Sequence, residues 1–173
     1  MEVLRNYQKR GFIKHIGISL YKPKEVEGAL KYNEIDIFQI PYNVLNRSFE
    51  ESNTIETLKH QQKLIVLRSI FLQGLFFVDP NELSEYFKPI KQALKNFYRE
   101  IKKYFNSQEE FFLGYALNKN YGPVILGIYS SPQLMNNLKV FNSSSSKSLF
   151  EKIEEKIPKI DKIYTDPRSW ILN

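Results

Sequence analysis

Apolar residues recur with two different periods along this chain, and the two kinds of stretch alternate. Short runs rich in β-branched residues read as buried strands: Phe12–Leu20 (FIKHIGISL), Ile35–Pro41 (IDIFQIP), Leu64–Arg68 and a short fourth run, Pro123–Gly127. Between them the period becomes helical. Residues 3–10 read as the polar end of a helix that Gly11 stops. Val26, Ala29 and Leu30 share one face of a helix expected over 23–32, with Pro23 in its first turn. A helix of modest length is expected over 54–62, after a polar loop at 43–52. Asp79-Pro80-Asn81-Glu82 reads as a helix start, with a capping carboxylate, a proline and an acid in the first turn. From Pro89, the residues Ile90, Ala93, Leu94, Phe97, Ile101, Tyr104 and Phe105 recur at helical spacing. Further helices are expected at 109–117, from Ser131 and Pro132 through Phe141, and at 150–157. The run Ser143–Ser146 reads as a flexible connection and Asp166–Asn173 as a tail.

The order gives four β–α units, which points to a parallel α/β sheet with right-handed crossovers. The period of two along a strand sharpens this. His15, Gly17 and Ser19 share one face of the first strand, Ile35, Ile37 and Gln39 one face of the second, and Leu64, Val66 and Arg68 one face of the third. Each set ends in a polar residue above apolar residues or glycine. Three polar groups collected at the C-terminal ends of parallel strands are how a site is built in such a fold. The plainer alternative is that strands simply end in polar residues. His15 and His60 fall at or before the N-terminal ends of strands, the stability face, so neither is expected to act as an acid or base.

Composition changes this picture only by exclusion. The 173 residues contain no cysteine, which removes disulfides, thiol catalysis and zinc–cysteine sites, and two histidines are too few for a histidine-based metal cluster. The net charge of +6 suits an anionic partner or simply a solvated basic surface. No aromatic–basic platform supports nucleic-acid binding. The charged start MEVLRNYQKR is unlike a signal peptide, and no apolar run approaches the ~20 residues of a membrane span, so a soluble, cytoplasmic protein is expected. Neither G-x-G-x-x-G nor a Walker-type loop occurs.

Four blocks, GFIKHIGISLYKP, DIFQIPYNVLNR, LRSIFLQGLF and PVILGIYSSPQLMNN, together with the tail TDPRSW, resemble the aldo/keto reductase family, in the family's order. The resemblance implies a (β/α)8 barrel enzyme that reduces carbonyls with NADPH. It covers only that fold's second half: the strands here look like the fifth to eighth. The family's catalytic aspartate, tyrosine, lysine and histidine belong to the first half and have no counterpart here. The expectation is therefore a parallel (β/α)4 half of a TIM barrel over 1–142, with residues 143–173 packing on it as an extra helix and tail.

The same resemblance assigns a cofactor side. Ser19 and Gln39 would hold the nicotinamide carboxamide, and a hydroxyl and an amide can indeed pair its donor and acceptor. Many relatives have Ser-Asn where this chain has Ser19-Leu20. Arg68 stands where many relatives place a stacking tyrosine; a planar guanidinium also stacks, and it adds charge. Ser69, Leu72, Gln73 and Gly74 would follow the pyrophosphate through backbone N–H groups. Gly127, Ser130 and Ser131 precede a helix whose N-terminus would meet the adenosine 2′-phosphate. No basic residue stands among Tyr129, Ser130 and Ser131, so NADPH and NADH both remain open. Gln133 and Asn137 match adenine contacts, while Asn136 replaces a usual glutamate. The bland alternatives are that Ser131 only caps a helix, Gln39 only satisfies a neighbouring strand, and Gly74 and Gly127 only serve turns. Tyr21 and Tyr42, near strand ends, are the tyrosines worth testing as proton donors.

Four strands cannot close such a barrel, and the inner face with Ile37, Val66 and Leu126 or Ile125 would meet water. A cover is therefore expected: a second copy, a chain supplying the first half, or the chain's own C-terminal helix and tail. A symmetric pair is the simplest solution.

Overall fold

The computed structural model describes residues 1–143 and 146–170. Ser144 and Ser145, the middle of the expected flexible connection, and the last three residues of the expected tail lie outside the described residues. The chain divides into two compact units. One holds Met1–Tyr42, Arg47–Arg68 and Tyr121–Ile125; the other holds Asn43–Asn46, Ser69–Asn120 and Leu126–Asn173.

The first unit is a parallel α/β sheet. Its elements are α1 (Glu2–Lys9), β1 (Ile16–Ser19), α2 (Lys24–Leu30), β2 (Ile35–Pro41), α3 (Ser48–Glu51), α4 (Thr54–His60) and β3 (Leu64–Arg68). The strands lie in the order β1-β2-β3, all parallel. Ile16, Phe38, Ile40, Ile65 and Leu67 point into the core, as do Val26 and Ala29 of α2, Phe49 of α3, and Ile55 and Leu58 of α4. The opposite face of the sheet carries Gly17, Ser19, Ile37, Gln39, Leu64, Val66 and Arg68, none of them buried.

Two expectations about the strands need correction. β1 is shorter than Phe12–Leu20 because pairing begins only where Ile16 meets Ile35; Phe12 lies outside and is exposed. The fourth strand is reduced to one parallel bridge, Leu67 to Val124, so among the described residues the sheet has three strands and not four. Leu67 N–H donates to the Pro123 carbonyl and Ile125 N–H to the Leu67 carbonyl, both at 2.8 Å. β3 ends at Arg68 and Ser69 turns to φ +63°, so no extended partner continues the ladder. Gly122 makes the approach possible: at φ +155°, a Cβ here would lie 2.0 Å from the Ile65 carbonyl oxygen. The polar loop at 43–52 contains the short helix α3. Glu50 of that helix accepts from the Tyr42 hydroxyl at 2.8 Å and the Tyr121 hydroxyl at 2.7 Å.

The second unit is helical: α5 (Lys91–Ile101), α6 (Gln108–Lys119), α7 (Ser131–Asn142), α8 (Lys147–Glu154) and α9 (Lys162–Thr165), with 3-10 turns at Leu72–Phe77, Glu85–Ile90 and Pro167–Ser169. Its core is aromatic. Phe76 stacks on Phe112 with centroids 4.0 Å apart, Phe97 and Phe111 meet Phe112 edge-on, and Phe105 and Phe150 pack in turn on Phe111. α6 and α8 come close enough at Gly114 that a Cβ would lie 2.8 Å from the Phe150 ring. Lys119 Nζ and the Tyr115 hydroxyl both donate to Glu154 there. Asp79-Pro80 starts no helix; the Asp79 carboxylate accepts from Asn81 N–H at 2.7 Å and closes a local turn.

Candidate functional site

The expected site residues divide between the two units. In the first, register brings three of them to one edge. Ser19 lies beside Gln39 and Gln39 beside Val66, so the hydroxyl and the amide sit on adjacent strands at the same level. Arg68 follows Val66 by two residues and therefore shares its face. Ser19 and Arg68 are the last residues of β1 and β3, and Gln39 lies two residues before the end of β2. The Arg68 guanidinium donates from Nη2 to the Leu20 carbonyl at 3.2 Å and lies over the Tyr21 ring, 4.3 Å from its centroid. Tyr21 is in turn held by its backbone: its N–H and that of Lys22 both donate to one Glu25 oxygen, at 2.7 and 3.0 Å. Sequence reasoning weighed Tyr21 as a proton donor and missed this partnership, which depends on how the chain turns after β1. Tyr42, the other candidate donor, is fully buried against Glu50, which ties up its hydroxyl.

In the second unit, Ser69, Leu72, Gln73 and Gly74 all have positive φ, at +63°, +46°, +56° and +86°. Leu72, Gln73 and Gly74 follow one another in this region, and the chain turns sharply there. Two of its N–H groups are already engaged: Leu72 donates to the Ser69 carbonyl at 3.1 Å and Gly74 to the Phe71 carbonyl at 2.9 Å. The Asn43 side-chain amide donates to the Ser69 carbonyl at 3.1 Å and anchors the turn. Gly127 is exposed, with no atom within 4 Å of where a Cβ would stand.

At the start of α7 the cap is Ser130, and Ser131 is the first helical residue. Ser130 Oγ accepts from Gln133 N–H at 3.4 Å, and Gln133 Oε1 accepts from Tyr129 N–H at 2.9 Å. This is close to a reciprocal capping box, and the spacing Ser130-x-x-Gln133 carried that signal in the sequence. The amide oxygen of Gln133 thus serves the backbone. Asn137 is the buried residue of α7, while Leu134, Met135, Leu138 and Phe141 of the same helix are exposed.

A separate groove of about 610 Å³ in the second unit is lined by Lys95, Arg99 and Lys102 among others, and by none of the expected site residues. Among the described residues, no helix is long and apolar enough to cross a membrane.

Comparison with known proteins agrees with the family resemblance. The model of the aldo/keto reductase family matches residues 1–158. The fold is similar to that of the holo form of the aldo-keto reductase AKR11C1 from Bacillus halodurans, with a TM-score of 0.73 and 20% identity over 92% of this chain and 55% of that one. It is similar to the thermostable aldo-keto reductase Tm1743 in complex with the inhibitor epalrestat, with a TM-score of 0.68 and 20% identity over 90% of this chain and 53% of that one. It is also similar to the glycerol dehydrogenase AKR11B4 from Gluconobacter oxydans, with a TM-score of 0.68 and 16% identity over 95% of this chain and 55% of that one. This chain spans a little over half the length of these proteins. No curated protein matches it.

Proposed function

Because the chain belongs to the aldo/keto reductase family, we propose that it is the cofactor-side half, strands five to eight, of an NAD(P)H-dependent carbonyl reductase barrel, inactive alone. The observation that carries this is the polar edge of the sheet, where Ser19 and Arg68 end β1 and β3 and Gln39 lies two residues before the end of β2, all on one face with none of them buried. Sites in parallel barrels lie at that end. The cofactor, when bound, supplies the hydride for a carbonyl carbon. The nicotinamide side fits: a hydroxyl and an amide in register can hold a carboxamide. The pyrophosphate side fits in part, because the Leu72 and Gly74 N–H groups close their own turns and the contact would fall to other groups of that loop. The Bacillus halodurans relative, described in a holo form, supports a fold that holds a ligand.

On this reading the proton donor for the carbonyl oxygen comes from a segment outside these residues. Calorimetry with NADPH and NADH, beside absorbance assays with a panel of aldehydes, tests the proposal. Binding of a reduced cofactor without turnover is expected. Turnover by the purified chain would overturn the division of labour, and failure to bind either cofactor would overturn the cofactor role.

A second reading rests on the uncovered sheet face, where Leu64 is 45% and Ile125 49% exposed. Here the chain is a non-catalytic nucleotide-binding or assembly module that closes its barrel with a second copy or a partner chain. Light scattering on the purified chain tests the first of these: twice the monomer mass assigns the cover to a second copy, and a monomer excludes it.

A further inference from the structure

The groove of about 610 Å³ lies wholly within the second unit, between residues Phe77 and Glu109. Three cations line it, Lys95, Arg99 and Lys102, at the spacing that sets side chains on one face of a helix, here α5 and its C-terminal cap. Arg99 donates from Nη2 to the Asn96 side chain at 2.6 Å. Among the described residues, the Lys95 and Lys102 ammonium groups make no hydrogen bond or ion pair. The two acids that also line the groove are compensated. The Asp79 carboxylate accepts from Asn81 N–H at 2.7 Å, and Glu109 sits in the first turn of α6, where the positive end of a helix suits a carboxylate. The rest of the lining is partly apolar. Tyr98, Ile101 and Phe105 are buried, while Phe77 and Val78 remain 39% and 37% exposed.

We propose that this groove binds an organic anion with an apolar body, a carboxylate on a hydrocarbon chain of medium length. The proposal is independent of the cofactor role and of the uncovered sheet face. Small-molecule sites commonly enclose about 300–1,000 Å³, and the groove falls within that range. A bare carboxylate beside an exposed ammonium gains little, because water and salt screen the pair. An apolar body without a charge covers Phe77 and Val78 and leaves both lysines unanswered. A ligand with the two parts joined does both: its chain removes apolar surface from water, and its head makes charge-assisted hydrogen bonds to Lys95 and Lys102. A cationic head on the same chain meets like charge instead.

Calorimetry on the full chain with octanoate, acetate and octylamine separates the two parts of such a ligand. One octanoate per chain is expected, acetate should not bind, and octylamine should bind at least about tenfold more weakly than octanoate. Lys95→Glu combined with Lys102→Glu should weaken octanoate at least about tenfold, whereas Lys95→Arg combined with Lys102→Arg, which keeps both charges, should stay within about twofold. Glu109→Gln should tighten octanoate, because it removes an acid from the lining. Val78→Asp, at a position already open to water, should weaken octanoate by charging the apolar side. Far-UV circular dichroism checks that each variant is folded. Should the charge-reversed chain fail to fold, Lys95→Gln combined with Lys102→Gln takes its place, with a loss of at least about threefold expected. Absence of saturable octanoate binding, equal binding of octanoate and octylamine, or an unchanged affinity in the folded lysine variant overturns the proposal. Loss of binding in Leu64→Glu also overturns it, because the ligand would then lie on the sheet face.

Discussion

The two faces of the sheet are made by the same three strands and have opposite fates. On one, Phe38, Ile40, Ile65 and Leu67 are sealed, alongside residues of α2, α3 and α4. On the other, glycine, serine, glutamine and arginine alternate with Ile37, Leu64 and Val66, and none is buried. In an all-parallel sheet both faces are normally covered. The difference teaches that one face carries the stability of this unit, while the other, which holds Ser19, Gln39 and Arg68, stays partly open to water.

Two leucines on one short stretch put the largest expected effect on that contrast. Leu67 is fully buried and Leu64 is 45% exposed, on opposite faces of β3. Leu67→Ala should destabilise by about 3–5 kcal/mol, the range for an interior leucine that leaves a cavity. Urea unfolding followed by circular dichroism measures it. A loss below about 1 kcal/mol, within the range of ordinary point substitutions, would mean that this side is not the core.

The same contrast explains how much could be read from sequence. The bounds of β2 and β3 were legible because each is a compact apolar run with a period of two and clear polar flanks. The period set Ser19 with Gly17, Gln39 with Ile37 and Arg68 with Val66 on their own strands, and the register between strands brings those faces together. The ends of β1 and the fourth strand were not legible, because they depend on where a partner strand starts and stops, which is a non-local fact. Ile16 pairs only because Ile35 lies beside it, and Val124 pairs only as far as Leu67 stays extended. Side-chain partnerships formed after a turn were equally hidden: nothing local announces that Tyr21 will lie under Arg68. The cap made by Gln133 was legible as a spacing, Ser130-x-x-Gln133.

Burial acts on charge as well as on packing, and a buried group away from the sheet tests this at intermediate size. Tyr98 is buried on α5, with its hydroxyl 3.5 Å from the Leu75 carbonyl, and burial pushes its phenol above the usual range. The folded state therefore keeps the proton after the unfolded chain, titrating near pH ~10, has begun to lose it. With more protons on the folded state, stability falls as pH rises through that window, by up to about 1.4 kcal/mol per pH unit. Below the unfolded value the contribution is fully present. Urea midpoints of the natural chain and of Tyr98→Phe, compared between about pH 9 and about pH 11, should diverge in slope, the phenylalanine variant being flatter by the share this one group supplies. Parallel slopes would show that the phenol ionises freely in the folded protein.

The smallest effect is the one that bears most on function. Leu64→Glu places a carboxylate on the uncovered face, at a position that would line the packed interior of a closed barrel. There an unpaired charge would be severely destabilising. In this chain alone, the site is half open to water, so the change in unfolding free energy should stay within about 0.5 kcal/mol, as for an ordinary surface position. The measurement is made dilute, where any pair of chains has come apart. At higher concentration the same variant should lose whatever assembly light scattering finds for the natural chain, because a carboxylate facing an apolar partner surface must shed its water. Tolerance when dilute together with lost assembly when concentrated would identify this face as the seam along which the fold is completed. A large destabilisation even when dilute would mean that the chain already covers the face itself, and the contrast between the two sides of the sheet would then need to be redrawn.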